Sequence, residues 1–483
     1  MDVQIPNYPY LWNLPEHFCA NMSEESKDSR NKEELVGRYE AMLAEGQSYY
    51  FDIDQLEDII DFYCDNNKFP MALKVIDYAN SLFRDNTTMM LREAQLLAGM
   101  GHLTKALSKL KVLEKIENQN EEVLLTMASI YSQQREHGKA IELLKKALSI
   151  GTQEYEDELY LEIALEYENM ERFDKAIEIL QDALKKKPEN ETLLYELAYC
   201  FDVSERTSEC VEYYKNFIEK FPYSFPAWYN LANAYQKLDQ YPDALDCYDY
   251  CIAIQQDFTP AYYNRAHTLF KMDRYREAIQ TFEETYIYEP PQAPVYCHIG
   301  ECFEKMEESD KALFYYKKSI QTDEHFADAY LGMSIILDMI GKTIESIPFI
   351  EKAIELEPEN ADFHLFHAEM LKKLDRSDEA EAMLEILAAR FADNDDVWLD
   401  YSDIFFRKND YDKALELLNQ GWQNCPQSYE LGFRKVAYLL QSGRLEEGEE
   451  LLLRMSSHEP QGLADLEEYY PEIISNKVFL SLK

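Results

Sequence analysis

Gly341-Lys342-Thr343 carries the closing residues of a phosphate-binding loop, in which backbone amides cradle a phosphate and a lysine meets its charge. The earlier glycine that such a loop needs falls on Ile336. His364 and His367 stand three apart, as two metal ligands on one helix could. Cys247 with Cys251, and Cys297 with His298 and Cys302, are the other candidate ligand groups, but none has the paired CxxC spacing of a closed zinc site. Among 92 Asp and Glu residues no carboxylate pair stands apart as an acid and base for hydrolysis, and no nucleophile motif is present. What these residues do depends on where their elements hold them.

Six prolines set the frame. Pro188, Pro222, Pro290, Pro358, Pro426 and Pro460 are separated by 34 residues or twice that. Proline ends a helix, so its return at a fixed interval marks one supersecondary unit closed repeatedly. Twelve residues before each stands a small residue, and the same step of 34 extends the series through Ala72, Ala106, Ala140, Ala176, Cys210, Ala244, Ala278, Ala312, Ser346, Ala380, Ala414 and Gly448. Twelve repeats result, with one two-residue insertion near 151–156. Counting the small residue as position 20, position 8 is also small in most repeats and positions 4, 11 and 24 are large, the pattern of two helices packed knob into hole. Pro226, Pro260 and Pro294 at position 2, and Pro70 and Pro242 at position 18, mark first turns of helices. Ser346 and Gly448 at position 20, Val436 at position 8 and Pro348 within a second helix depart from the pattern and predict looser or kinked repeats.

In this register His364 and His367 take positions 4 and 7, the buried stripe, which makes them core histidines, while Gly341 to Thr343 fall on the turn between helices. Nucleotide and metal are therefore not expected, and no cofactor is. Lys and Arg total 48, giving a net charge of −44, so nucleic acid and anionic membranes are unsuitable partners. The nine cysteines lie mostly in helical patterns, as reduced core residues do, and MDVQIPNYPYLWNL lacks the layout of a signal peptide. A cytoplasmic, monomeric protein is the expectation.

The run Ala227-Trp228-Tyr229-Asn230-Leu231-Ala232-Asn233-Ala234-Tyr235, followed by Tyr241-Pro242-Asp243-Ala244, resembles the consensus of the tetratricopeptide repeat family, and the resemblance covers about residues 53 to 460. It implies an all-α, right-handed superhelical solenoid of about twelve helix-turn-helix repeats with terminal capping helices. The expected organisation is an aromatic and polar segment over 1–30, a capping helix and loop over 31–52, the array over 53–460 and capping helices over 461–483. Residues Tyr8 to Trp12 either cap the array or lie in its groove.

On the first helix of each repeat, positions 2, 5, 6, 9, 12 and 13 lie opposite the packed stripe. In the family these line the concave inner surface where extended peptides or partner helices dock. Here they predict a peptide-binding groove of aromatic and amide side chains: Tyr195, Tyr199, Tyr229, Asn230, Asn233, Gln236, Tyr263, Asn264, His267 and Glu301. Asn230 and Asn264, both at position 6, resemble the start of an asparagine ladder. The bases of the family's carboxylate clamp are missing from Pro226, Tyr229, Asn230, Pro260 and Tyr263, and the inner face adds Asp54, Glu57, Asp58, Asp61, Glu158, Glu162, Glu168, Asp400 and Asp403, so a neutral or basic protein segment fits better than an acidic one. The expected function is a non-catalytic interaction scaffold. The alternatives are a regulatory or assembly subunit of an enzyme complex and a hydrolase with a cryptic site.

Overall fold

The computed structural model describes residues 25–45, 49–150 and 156–482, with side chains from residue 32 onward apart from that of residue 45. The aromatic stretch from Tyr8 to Trp12 and the insertion at 151–155 lie outside the described residues. Among the described residues there are 27 α-helices, two 3-10 turns and no strand. None of these helices is long and apolar enough to cross a membrane. The chain divides into two compact units, Met1–Asn230 and Leu231–Lys483.

The register read from proline and alanine is the register of the helices. First helices run from position 1 to 13, as in Ile53–Asp65, Thr87–Gly99 and Asp395–Arg407, and second helices from position 17, as in Phe69–Leu82, Leu103–Ile116 and Tyr411–Asn424. Position 20 is buried in all twelve repeats, because a second helix reaches its neighbour only where the side chain is short. The helix Thr343–Leu356 continues through Pro348. The N-terminal helix, expected within 31–52, begins at Glu25 and ends at Glu45.

Each first helix ends in the same way. Position 15 is left-handed in every repeat, at φ between 55° and 83°, from Asn67 and Gly101 through Arg135, Glu171 and Glu205 to Asn409 and Gly443. The next amide then donates back to the carbonyl of position 11, as in Lys68 to Tyr63 at 2.7 Å and Arg206 to Phe201 at 2.9 Å. This is a Schellman closure, which satisfies carbonyls that the helix end leaves orphaned. Only Gly101, Gly341 and Gly443 meet it with glycine. A left-handed L-residue costs about 1 to 2 kcal/mol, partly offset by the greater chain entropy that glycine loses. Substituting glycine for Glu171, Glu205 and Glu307 together should therefore raise stability, by about 0.5 kcal/mol each in urea unfolding; an unchanged or lower midpoint would show that the side chains hold the turn in another way.

The first helix is tied at its other end by position 4. Trp228 donates from Nε1 to the Pro222 carbonyl at 2.8 Å, Trp398 to Ala392 at 2.9 Å, Tyr262 to Gln256 at 3.0 Å and Tyr330 to Glu324 at 3.1 Å. His364 does the same through Nε2 to Pro358 at 3.0 Å. Large side chains stand at position 4 in these repeats because they clip the helix start to the preceding loop.

Candidate functional site

Gly341 is the left-handed turn residue at φ 80°, and the Thr343 hydroxyl donates to Asp338 Oδ1 at 2.6 Å, so Gly341 to Thr343 build a helix connection. His364 is spent on its clip, and His367 is buried, which lowers its basicity. Cys247, Cys251, Cys297 and Cys302 are all buried. Among the described residues one group of side chains converges with ligand geometry, and it is a different one: Glu168, Glu196 and Cys200.

In the N-terminal unit, inner-face side chains of successive first helices meet each other. Arg92 at position 6 reaches Glu57 Oε1 at 3.3 Å and Asp61 Oδ2 at 3.8 Å on the preceding repeat, and Gln95 Nε2 donates to Glu122 Oε1 at 2.9 Å. Further along, the face is acidic. Desolvation by the surrounding protein, with Glu166 and Glu158 nearby, pushes the Glu162 carboxyl up to about 7, although the residue as a whole is exposed. Desolvation and the neighbouring Glu196 push Glu168 up to about 8. Tyr195 and Tyr229 pack edge to face at 6.4 Å, and Tyr199 is half-buried.

Asn230 is not exposed on this face. It is 4% exposed, and its two amide hydrogens are spent on the Leu194 carbonyl at 3.1 Å and the Tyr214 hydroxyl at 3.3 Å, while Tyr214 donates to the same carbonyl at 2.5 Å. The expected ladder rung is part of the core, because the position-24 tyrosine reaches between first helices and needs a polar partner there.

In the C-terminal unit Asn233, Gln236, Asn264, Thr268 and Tyr248 form one network. Asn264 Nδ2 donates to Asn233 Oδ1 at 2.9 Å. The Tyr248 hydroxyl lies 2.6 Å from Asn233 Oδ1 and 2.8 Å from the amide end of Gln236. Thr268 Oγ1 donates to its own helix at Asn264 O, 2.8 Å away, and lies 3.2 Å from the amide end of Gln236. A hydroxyl has one proton. With that of Thr268 spent on the helix, the Tyr248 proton is shared between the two acceptors it faces, Asn233 Oδ1 and Gln236 Oε1. The NH2 groups of Asn233 and Gln236 are then left over, two donors a single helical turn apart on half-buried residues.

Around this network, Tyr263 donates to Glu289 Oε1 at 2.5 Å, and His267 packs edge to face on His298 at 4.4 Å between ring centroids. Burial, and next His298, push His267 down to about 4. His298 Nδ1 lies 3.0 Å from Glu301 Oε2; burial would raise the Glu301 carboxyl, but the histidine contacts outweigh it and hold it below the usual range. Further along, Lys372 pairs with Asp400 at 2.8 Å and Arg407 with Asp403 at 2.6 Å.

These shifts give the surroundings of Glu168 and of His267 opposite responses to pH. The raised carboxyls of Glu162 and Glu168 hold protons that the unfolded chain has lost, so their contribution is present below about 4.5 and fades as pH rises through about 8. The lowered His267 works in reverse: the unfolded chain takes up its proton first, and stability falls from pH 6.5 toward 4. Amide exchange corrected for intrinsic rate should show 157–203 better protected at pH 6 than at 8.5, and 259–305 less protected at pH 4.5 than at 6.5. Parallel trends in both segments would contradict this.

Models of the tetratricopeptide repeat match residues 121–150, 157–200, 225–258, 259–284, 293–326 and 367–429. No curated protein sequence matches the chain. Solved structures similar to it include the MamA protein, 26% identical over 35% of this chain and 93% of that one at a TM-score of 0.31. The Cut9–Hcn1 hetero-tetramer of the APC/C is 12% identical over 86% and 95% at 0.39, and a tetratricopeptide repeat protein from Parabacteroides merdae is 16% identical over 52% and 98% at 0.41. The matches at 225–258 and 293–326 each span one repeat from position 1 to position 34, in the phase that the left-handed turns and buried small residues define. The chain belongs to the tetratricopeptide repeat family.

Proposed function

We propose that the chain is a non-catalytic protein-interaction scaffold that receives an extended peptide or a partner helix on the inner face of its first helices. The observation that carries this reading is the unspent pair in the C-terminal unit, the NH2 groups of Asn233 and Gln236. An extended peptide presents main-chain carbonyls at regular intervals, and two fixed donors one turn apart meet them without reading its side chains. Both amides are held by Tyr248, Asn264 and Thr268, so little ordering cost falls on the receptor. Tyr263 and His267 flank the pair and offer half-buried ring surface. The partner segment is neutral or basic, since the chain carries 92 acids against 48 bases.

The test is a selection of displayed random peptides on the full chain, followed by calorimetry of those enriched. Two hydrogen bonds of about 1.4 kcal/mol each correspond to a roughly hundredfold loss of affinity in Asn233→Leu with Gln236→Leu. Equal dissociation constants for the wild type and this double variant, with helicity retained, refute the reading.

A further inference from the structure

We propose that Glu168, Glu196 and Cys200 form a binding site for a divalent cation of the zinc class. Glu196 and Cys200 stand four apart on the helix Glu191–Val203, one turn above the other on one face, and Glu168 comes across from the helix Glu156–Glu168 of the preceding repeat. One ligand atom from each lies within 4.8 Å of the others, and Cys200 Sγ is 3.1 Å from Glu168 Oε1. Tetrahedral zinc with one sulfur and carboxylate oxygens holds its ligand atoms roughly 3.4 to 3.6 Å apart, so side-chain rotation alone closes the set.

Two further observations point to a ligand. Cys200 is fully buried, and its thiol is aimed into the gap between the carboxylates with no partner outside it. Neither carboxylate has an ion pair with a basic side chain among the described residues, so two acids from different repeats share a half-buried space without a basic side chain to balance them. A proton shared between them balances the pair in part, and a divalent cation balances it more fully. The buried thiol selects among cations: a sulfur ligand favours zinc over magnesium and calcium, which prefer oxygen alone. The half-buried carboxylates leave the way in.

Loading exchanges protons for metal. The thiol proton and the proton shared by the carboxylates leave to solvent; Sγ and one oxygen from each carboxylate take the cation, leaving the site at net charge −1 with water in the fourth position. The ion then bridges the fourth and fifth repeats.

The experiment uses the full chain with Zn2+, in excess Mg2+ to occupy surface carboxylates, and with Co2+ as an optical probe. The expected result is one Zn2+ per chain, about two protons released per ion at pH 7, and a thiolate-to-cobalt charge-transfer band. Cys200→Ala should abolish the band and weaken Zn2+ at least tenfold; Cys425→Ala should change neither. Absence of the band, or unchanged affinity in Cys200→Ala, overturns the proposal. Should Cys200→Ala lose its helicity, Glu168→Gln and Glu196→Gln decide: each at wild-type affinity overturns the site, and each weakened tenfold with the band retained supports it.

Discussion

Gly332→Ala is expected to destabilise the C-terminal unit, although alanine is the better helix former by about 1 kcal/mol. Gly332 sits inside the helix Ala327–Met339, and a Cβ built on it lands 2.3 Å from the ring of Tyr316. That ring is 1% exposed and also lies against Gly300, whose Cβ would be 2.9 Å from it. The Tyr316 hydroxyl is also fixed, donating to Glu304 Oε2 at 2.6 Å, so the ring cannot swing aside without losing that bond. Overpacking of this kind costs about 1 to 3 kcal/mol, and Gly332→Val belongs at the upper end. Tyr316→Ala alone should cost about 3 to 5 kcal/mol through the cavity it leaves. Combined with Gly332→Val it should cost less than the sum, because each change relieves the other. The internal control is Gly37→Ala, in the helix Glu25–Glu45 with open space around its Cβ, which should stabilise. The sign decides the matter in urea unfolding: if Gly332→Ala stabilises as Gly37→Ala does, the two-glycine cradle is not what holds Tyr316.

That cradle also marks how far the sequence could be read. The repeat register was legible because helices pack closely only over a small residue, and alanine at position 20 recurs often enough to show through its exceptions. The left-handed turn at position 15 was hidden, since only three glycines mark it; the remaining signal is that the position is never apolar or β-branched, running Asn67, Arg135, Glu171, Glu205, Asp239 and so on. Position 4 read as merely large, and its role as a backbone clip appears only when the loop six residues back folds against it. The inner-face positions were legible from helical periodicity, but not how their hydrogen-bonding capacity is spent. Asn230 and Asn264 share a position, yet Asn230 is consumed by Tyr214 in the core while Asn264 fixes Asn233. Glu168 read only as one acid of the inner face, and its meeting with Glu196 and Cys200 escaped notice because the three belong to two repeats and a cysteine at position 10 reads as packing.

Removing residues beyond Gln461 should have the largest effect of any change, and it tests the closed end of the array. The helix Gly462–Tyr469, the turn Pro471–Ser475 and the helix Lys477–Leu482 bury Leu463, Leu466, Ile473 and Phe479 in the core that also holds Phe433, Val436 and Met455. Gly462 starts the cap because its backbone lies against the Phe433 ring, where a Cβ would come within 2.1 Å. At about 2 kcal/mol for each buried large side chain, the cap contributes roughly 8 kcal/mol as an upper figure, since the unfolded chain buries part of that area too. Repeat arrays transmit stability only between neighbours, so the loss falls on the last repeats and leaves an apolar face exposed. The shortened chain should therefore lose amide protection over 395–458 while 53–150 keeps its own, and should self-associate. Point changes separate packing from polar closure. Tyr469 lies under the Arg434 guanidinium at 3.5 Å and donates to Asp403 Oδ1 at 3.2 Å, so Tyr469→Phe removes one hydrogen bond worth about 1 kcal/mol and keeps the ring. Asp403 and Arg434 occupy inner-face positions 9 and 6 of the last two repeats, which means that the cap fills the face a ligand would otherwise meet there. Uniform protection along the truncated chain would break both the nearest-neighbour account and the assignment of that face as covered. If instead the loss is local, the inner face open to a partner begins on the N-terminal side of Asp403.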